Sequence, residues 1–268
     1  MALKMDLHIH STYSDGTMTP VELVKKYHAE EYSVIALTDH DGVGGVKEAQ
    51  IAGEALGINV MSGIEFGTKL PDGPELHILG YKLDVDDPEL NARLADILRA
   101  RTERNEKLLA VFRNMGYDID WDDLRQRPGQ TYIGKPNFAL AFQKKGYIQS
   151  PSEAFAEGRF LESPEAKAVK KERITPQEAI RLIRGAGGIP VLAHPMKVRG
   201  IGEKGSEEYF VNLAVILKEL RKAGLGGLEC FHPSASHEQA LQLVDLAGKY
   251  HLHITQGTDY HGPEFAGK

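Results

Sequence analysis

The fold is decided near the N-terminus, by the stretch Met5-Asp6-Leu7-His8-Ile9-His10-Ser11-Thr12-Tyr13-Ser14-Asp15-Gly16. Leu7 and Ile9 alternate with His8 and His10, which is the period of a β-strand, so the two imidazoles leave the strand on one face and the two aliphatic side chains on the other. The Ser-Asp-Gly turn that follows brings the carboxylate of Asp15 back toward the imidazoles. By itself the histidine pair fits a polar strand face as well as a metal site, so the rest of the chain has to decide.

The composition limits the kinds of site that the chain can build. Its 268 residues suffice for one large α/β domain, with or without an insertion. The net charge of -6 gives no general surface for a long nucleic acid, so local cations or metals must hold any phosphate of a substrate. The single cysteine, Cys230, excludes an intrachain disulfide and a multi-cysteine zinc site, which leaves histidines and carboxylates as metal ligands.

The sequence also bears on where the protein works. The N-terminus lacks the apolar core of a signal peptide, and no apolar run approaches the length that crosses a membrane. We therefore expect a cytoplasmic protein with no membrane partner.

Further strands in the first half of the chain also carry an acid or an imidazole. The apolar runs that predict these strands are 33–37, followed by Thr38-Asp39-His40; 58–62, which stops at Gly63-Ile64-Glu65; and 75–81, which contains His77. In α/β proteins, polar residues at the C-terminal ends of buried strands form the functional site. The histidines of the first strand therefore have partners of the right chemistry.

The middle of the chain interrupts the alternation of strand and helix. From residue 88 to residue 173 the sequence is charged and helix-forming, with a long helix or helical pair over 88–115 and another helix that starts at Gly134-Lys135-Pro136-Asn137. We predict that residues 88–173 form a helical cap insertion over the strand ends, and that residues 1–87 and 174–268 form one barrel domain.

After this insertion, a helix at 175–186 restarts the alternation. The strands that follow end in His194-Pro195 after 188–193, in His232-Pro233 after 227–231, and in Asp259 and His261 after 252–256. Seven strands alternating with helices fit either a doubly wound sheet or a closed barrel. Only in a barrel do all strand ends converge on one axis, so ligands on six different strands favour the barrel.

Together these motifs resemble the PHP family, the polymerase and histidinol phosphatase superfamily. The resemblance covers essentially the whole chain and rests on Asp6-Leu7-His8-Ile9-His10 with Ser14-Asp15-Gly16, Thr38-Asp39-His40, Gly63-Ile64-Glu65, His77, Ala193-His194-Pro195, and Asp259 with His261. It implies a distorted (β/α)7 TIM-like barrel, an α/β fold that holds up to three metal ions at the C-terminal ends of its strands.

The resemblance further implies three groups of metal ligands. They are His8, His10, Glu65 and Asp259 for the first ion; Glu65, His77 and His194 for the second; and Asp15, His40 and His261 for the third. Mixed oxygen and nitrogen donors suit manganese, iron or zinc and disfavour calcium. Asp39 either orients a ligand imidazole or is a turn acid that satisfies backbone donors, and the sequence leaves both interpretations open.

Within the family, the chain is most similar to the stand-alone nucleotide phosphatases and short-RNA 5′ exonucleases. That branch typically shows Gly-Arg-Pro-His at the start of a cap helix and an arginine shortly after Ala-His-Pro, where this chain has Lys135, Asn137 and Lys197. We expect these three residues to contact the substrate, with a looser hold on phosphate because lysine lacks the bidentate fork of arginine. His232 is either a further phosphate contact and leaving-group acid or a loop histidine held by Pro233. The expected catalytic set is Glu65, Asp259 and His232.

The sequence thus predicts a metal-dependent phosphatase or phosphoesterase that hydrolyses a phosphomonoester of a small molecule. The expected substrate is a nucleotide, either the 3′-phosphate of a nucleoside 3′,5′-bisphosphate or the end of a short RNA, and the expected cofactors are two to three divalent transition-metal ions (Mn, Fe or Zn). The alternatives are a histidinol phosphate phosphatase, a non-catalytic PHP regulatory module, and an amidohydrolase-type barrel acting on C–N bonds. The last usually carries a bridging carboxylated lysine or a differently placed acid, and we find neither among the motifs.

Overall fold

The structure is a computed structural model, which describes residues 3–127, 130–171 and 173–263. Its strands are β1 (Met5–Ile9), β2 (Val34–Leu37), β3 (Asn59–Lys69), β4 (Glu75–Tyr81), β5 (Ile189–Leu192), β6 (Gly227–Phe231) and β7 (His253–Gln256). Its helices are α1 (Pro20–Ala29), α2 (Val46–Leu56), α3 (Pro88–Asn114), α4 (Trp121–Leu124), α5 (Lys135–Lys144), α6 (Pro164–Ala168), α7 (Pro176–Gly185), α8 (Glu207–Ala223) and α9 (His237–Lys249). None of these helices is both long enough and apolar enough to pass through a bilayer.

The strands form one sheet that follows the order of the sequence from β1 to β7. All neighbouring strands are parallel except for β4, which runs antiparallel to both β3 and β5. The two ends of the sheet meet where Ile9 bridges to Tyr260, whose carbonyl accepts a hydrogen bond of 2.8 Å from the amide of His10. The sheet is therefore nearly closed, and the predicted distorted barrel is confirmed.

The third strand is longer than the sequence analysis predicted. It continues past Glu65 to Lys69 and pairs with β4 from Gly63↔Tyr81 to Lys69↔Glu75. The turn between the strands contains Pro71-Asp72-Gly73, and the amide of Leu70 donates to the carbonyl of Pro74 at 3.2 Å. The prediction that the third strand stops at Gly63-Ile64-Glu65 was wrong, because the strand continues into a hairpin that joins it to β4 without a helix. Glu65 lies within β3, and His77 is the third residue of β4.

The start of α1 shows how sequence sets the outer layer. Thr19 caps the helix and forms a capping box with Glu22, so the backbone N–H groups of both residues have a hydrogen-bond acceptor. The buried side of α1 carries Leu23, Val24 and Tyr27, which pack in one cluster with Ile9 of β1. This packing holds β1 against the helical layer.

The chain divides into two compact units, one of Met1–Leu94 and Arg173–Lys268 and the other of Ala95–Glu172. The second unit has its own hydrophobic core, in which the rings of Phe112 and Phe142 meet edge to face at 4.9 Å. The residues predicted as a long helix or a helical pair form one helix, α3. That residues 88–173 act as a cap over the strand ends stays a prediction.

Candidate metal centre

His8 and His10 are fully buried, and both rings face Glu65. Their placement on one face was predicted correctly. Leu7 and Ile9 do not share the opposite face, however, because the pairing of β1 with β2 shifts register between Asp6 and Ile9. As a result, Leu7 and Ile9 belong to different hydrophobic clusters.

Glu65 is the centre of the site, since its carboxylate is completely buried among five imidazoles. The Oε2 atom lies 3.3, 3.2 and 3.1 Å from His8 Nε2, His10 Nε2 and His40 Nδ1. The Oε1 atom lies 2.8 Å from His77 Nδ1 and 3.0 Å from His194 Nε2. His77 reaches this carboxylate because β4 runs antiparallel, which brings the beginning of this strand to the rim where the parallel strands end.

Asp259 completes the group predicted for the first ion. Its Oδ1 atom lies 3.4 Å from His8 Nε2 and 3.2 Å from His10 Nε2. Together with Glu65, these residues place four potential ligand atoms within 4.8 Å of one another. Asp259 adopts a φ of 56°, and its neighbour in the site, His194, a φ of 26°. Such backbone is strained for a residue with a side chain and is typical of functional sites.

The group predicted for the third ion is also brought together. Asp15 Oδ1 lies 3.3 Å from His261 Nε2, and Asp15 Oδ2 lies 3.8 Å from His40 Nε2. His10 joins this group, which the sequence analysis did not foresee.

The turn that carries Asp15 is held tightly. A Cβ atom on Gly16 would lie 2.2 Å from the carbonyl oxygen of His10, so only glycine fits there. Asp39 accepts hydrogen bonds from the amide and hydroxyl of Ser11 and from the hydroxyl of Ser14, at 2.6–2.8 Å. Of the two interpretations left open for Asp39, these contacts correspond to an acid that satisfies the donors of the turn.

The residues predicted for the second ion meet at the other oxygen of Glu65. The rings of His77 and His194 lie 5.0 Å apart, and both contact Oε1. A compact group of potential ligands also forms from His77, Glu65 and His40. His40 therefore lies between the second and third predicted positions.

The electrostatics of the site favour ionised carboxylates. Burial alone would raise the pKa of Glu65, but the rings of His40, His8 and His77 hold it well below its usual range. Burial lowers the pKa of His40 to about 4, so this ring is neutral. Burial also opposes a charge on His10, but its closeness to Asp259 and Glu65 raises its pKa to about 10. Metal binds to ionised carboxylates and to neutral imidazoles, so His10 has to release its proton when an ion binds.

Several buried polar atoms in the site make no well-aligned hydrogen bond. They are Nε2 of His8, Nδ1 and Nε2 of His10, Oδ1 of Asp15 and Oε2 of Glu65. A buried polar atom without a partner costs about 1–3 kcal/mol, and so many in one place call for a common partner. Imidazole nitrogens and carboxylate oxygens are suitable donors for a divalent transition metal. These residues therefore fit a metal centre.

His232 follows β6 and is buried at the edge of the first group. Its Nδ1 accepts a hydrogen bond of 2.9 Å from the amide of Ser234, so a neutral ring carries its proton on Nε2. Nε2 lies 3.7 Å from Asp259 Oδ2 and has no hydrogen-bond partner of its own. His232 thus presents an N–H group beside the predicted ligands.

A cavity of about 470 Å³ opens onto these ligands. It is lined by His40, Glu65, Glu75, Leu76, His77, His194, Lys197, Val198, Arg199, Asp259 and His261. Its volume lies in the range of small-molecule sites. Two cations, Lys197 and Arg199, stand among its lining residues. The sequence analysis overlooked Arg199, although an arginine was expected shortly after Ala193-His194-Pro195.

The other two predicted substrate contacts lie in the second unit. Lys135 is the first residue of α5, and its Nζ atom lies 3.1 Å from Glu162 Oε1. Asn137 is buried, and its amide accepts from the backbone of Gly134 at 2.9 Å and donates to the carbonyl of Leu124 at 3.1 Å. These bonds give Asn137 a structural role, and substrate contact by either residue stays a prediction.

Two buried acids near the ligands were missed as functional residues. Asp6 accepts from the amide and hydroxyl of Thr258, which precedes Asp259, and from the hydroxyl of Tyr27. Glu229 contacts His8 and the backbone of His194. The available signal was an acid at an interior position of an otherwise apolar strand, where an unpaired charge would be costly.

The fold and the metal centre define a metal-dependent phosphoesterase, and similar proteins agree. A solved structure from Bifidobacterium adolescentis, named as a candidate metal-dependent phosphoesterase, matches with a TM-score of 0.82 and 29% identity, over 98% of this chain and 89% of its own. The 5′-3′ exoribonuclease of Haemophilus influenzae is 29% identical over 263 residues, which are 98% of this chain and 92% of the relative. The 3′,5′-nucleoside bisphosphate phosphatase of Chromobacterium violaceum is 28% identical over 265 residues, which are 98% of this chain and 89% of the relative.

The PHP domain profile matches residues 6–119, which contain the ligands of the first four strands. This match agrees with the resemblance of the motifs to the PHP family, and the two relatives are similar to this chain over 98% of its length. The predicted enzyme class is likewise confirmed.

Proposed function

We propose that this enzyme releases phosphate from a nucleotide that carries a 3′-phosphate, with two or three transition-metal ions bound by the nine predicted ligands. These are His8, His10, Asp15, His40, Glu65, His77, His194, Asp259 and His261. The single observation that carries the proposal is the carboxylate of Glu65, which lies 2.8–3.3 Å from five imidazoles of four different strands. A buried carboxylate with this surrounding is suited to bridge two ions.

Bound ions in such a site lower the pKa of water and offset the charge that develops on the phosphoryl oxygens. The protein's own residues contribute position and protons. Low pKa values keep Glu65 and Asp259 ionised. Glu65 is held within β3, and Asp259 follows β7. His232 offers its Nε2–H group beside Asp259 as a hydrogen-bond donor to a phosphoryl or leaving oxygen. A protein nucleophile is not required.

The cavity supports a small phosphorylated substrate. About 470 Å³ accommodates a mononucleotide or the terminal residue of a short RNA. Lys197 and Arg199 are the cations that would bind its phosphates, and the arginine can do so with two parallel hydrogen bonds. The names of the two relatives, a bisphosphate phosphatase and an exoribonuclease, are consistent with this class.

The test combines metal analysis with a panel of substrates. The protein is purified without chelator, and its Mn, Fe and Zn contents are measured. Phosphate release is then followed with adenosine 3′,5′-bisphosphate, 5′-AMP, a 5′-phosphorylated RNA trimer, a cyclic phosphodiester and histidinol phosphate. The Glu65→Gln variant, prepared in parallel, controls for contaminating phosphatases.

We expect two or three ions per chain and fastest turnover of the bisphosphate, with any RNA cleavage limited to terminal residues. Protein that is fully loaded with metal but holds no ion near His8, His10 or Glu65 would overturn the proposed centre. Efficient hydrolysis of histidinol phosphate without turnover of any nucleotide would overturn the proposed substrate and favour a histidinol phosphate phosphatase.

A further inference from the structure

Glu229 is a buried carboxylate that lies outside the predicted ligand set. It is the third residue of β6 and is completely inaccessible to solvent. Its Oε1 atom lies 3.0 Å from Nδ1 of His8, and its Oε2 atom accepts the backbone N–H of His194 at 2.6 Å. One carboxylate thus ties together residues of β1, β5 and β6. A buried carboxylate is costly unless it is paired and hydrogen-bonded, and Glu229 uses both of its oxygens for these two contacts.

We propose that Glu229 is a positioning residue that prepares both His8 and His194 for metal. The inference rests on the proposed function, in which His8 serves the first ion and His194 the second. It assigns Glu229 no contact with substrate or with the ions.

The contact with His8 fixes which ring nitrogen carries the proton. A carboxylate can only accept, so Nδ1 of His8 must be the donor. In the neutral ring, which is the form that binds metal, the proton is thereby kept off Nε2, which faces Glu65 Oε2 at 3.3 Å and Asp259 Oδ1 at 3.4 Å. The lone pair of Nε2 is then directed at the first group of ligands. A carboxylate behind a ligand histidine also makes the ring a stronger ligand.

The contact with His194 fixes a strained backbone. His194 has φ 26° and ψ 60°, a conformation that surrounding structure must impose. The charge-assisted hydrogen bond from its own amide to Glu229 is such a restraint. It holds the ring where Nε2 lies 3.0 Å from Glu65 Oε1. Loss of Glu229 would therefore disturb ligands on both sides of Glu65.

A direct ligand role for Glu229 is less consistent with its surroundings. Glu229, His8 and His232 do bring potential ligand atoms within 4.8 Å of one another. Both oxygens of Glu229 nevertheless already accept hydrogen bonds, and an ion there would take the His8 nitrogen that carries the proton.

The decisive variant is Glu229→Gln, because glutamine has the same size but offers only one acceptor. If its oxygen faces His8, its NH₂ group meets the N–H of His194, and two donors oppose each other. If it is turned round, its NH₂ group donates to Nδ1 of His8 and moves the ring proton to Nε2, where an ion should bind. Either orientation removes one of the two restraints.

The experiment titrates chelator-treated protein with Mn²⁺ and follows free Mn²⁺ by electron paramagnetic resonance. We expect Glu229→Gln to bind Mn²⁺ about 10–100-fold more weakly than wild type. We also expect its metal-free Tm to stay within a few degrees and its kcat to fall at saturating Mn²⁺. The matched control is Asp123→Asn, since Asp123 pairs with Lys145 and completes the capping box of α4 by accepting from the amide of Asp120. This control should lower Tm without changing the affinity for Mn²⁺.

A second measurement does not depend on the variant folding. In wild-type protein labelled with ¹⁵N-histidine, long-range proton–nitrogen correlations should show Nδ1 of His8 protonated. A bare Nδ1 at His8 overturns the inference, as does equal Mn²⁺ affinity of wild type and Glu229→Gln. Both results leave the proposed function standing. Wild-type protein that binds no Mn²⁺, Fe²⁺ or Zn²⁺ would instead overturn the proposed function itself.

Discussion

The ammonium group of Lys197 lies 2.7 Å from Oδ2 of Asp259, whose other oxygen faces His8 and His10. The lysine is about half exposed and lines the cavity, so its remaining donors face the space where a substrate phosphate would lie. A single side chain therefore connects the proposed ligands with the proposed substrate site.

We expect Lys197→Ala to raise KM about tenfold, equivalent to about 1.4 kcal/mol, with a smaller effect on kcat. The reason is that the contact between the lysine and a substrate phosphate is equally strong in the ground state and in the transition state. Steady-state kinetics of phosphate release measure both constants. Lys222→Ala is the matched control, because Lys222 is an exposed lysine paired with Glu219. Similar KM values for the two variants would remove Lys197 from the substrate site.

Replacing Glu65 is expected to be the most damaging change of a ligand. Glu65→Ala removes both oxygens that the five imidazoles surround, and we expect kcat to fall on the order of 10³-fold or more. The metal content of the purified variant should fall with it, and elemental analysis measures this.

The control for Glu65 is a histidine away from the site. His28 is an exposed residue of α1, so His28→Ala should leave activity and metal content near the wild-type values. Equally small effects of the two substitutions would show that the site has been placed wrongly.

Tyr209 supports the loop that carries His194 and Lys197. It is almost fully buried, and its hydroxyl lies 2.7 Å from the carbonyl of Pro195 and 3.0 Å from that of Val198. We expect Tyr209→Phe to reduce the free energy of unfolding by about 1–2 kcal/mol, because buried carbonyls lose their donor. Urea denaturation of both proteins tests this, and equal midpoints would contradict it.

The same tyrosine predicts a pH dependence. Burial raises the pKa of Tyr209 to about 12 from its ordinary value near 10. The folded state therefore favours the protonated hydroxyl, whose contribution to stability is complete below pH 10 and is lost as the pH rises through 12. The stability advantage of wild type over Tyr209→Phe, about 1–2 kcal/mol at neutral pH, should therefore decrease over this range and be lost. A difference that stays constant from pH 9 to pH 12 would rule this out.

Asn137 offers a test of a structural role in the second unit. Asn137→Ala leaves the amide of Gly134 and the buried carbonyl of Leu124 without their partner. We expect a loss of about 1–3 kcal/mol in unfolding free energy, seen as a lower Tm by differential scanning calorimetry. An unchanged Tm with a raised KM would instead support the substrate contact that the sequence suggested.

The strands that end in ligands were predictable because their apolar runs have clear period and length. The hairpin of β3 and β4 was not, since a helix and a tight turn can both follow a strand, and Gly63 suggested a stop. What decides the matter is pairing: residues 63–69 complete seven antiparallel pairs with residues 75–81. Such pairing is a tertiary gain that local sequence does not show.

The closeness of the nine proposed ligands could be predicted, since each belongs to a motif. The contacts of Glu229 could not be predicted, because they join it to His194 and His8. These residues lie 35 and 221 positions earlier in the sequence, and only the fold brings them together. Arg199 was overlooked for a simpler reason, as Lys197 satisfied the expected position two residues earlier. The role of Asp39 depended on which donors surround its carboxylate. These include the hydroxyls of Ser11 and Ser14, which lie in the turn after β1.

The bridge between Ile9 and Tyr260 sets an order on the biosynthesis of this enzyme. Asp6 and Thr258, which the same closure brings together, are 252 positions apart, so the first histidines leave the ribosome long before Asp259 and His261. At 5–20 residues per second this delay is on the order of ten seconds or more. During that time the nascent chain displays His8 and His10 without Asp259. The first group of four proposed ligands can exist only after Asp259 has been translated, so an ion bound by all four residues can be loaded only then.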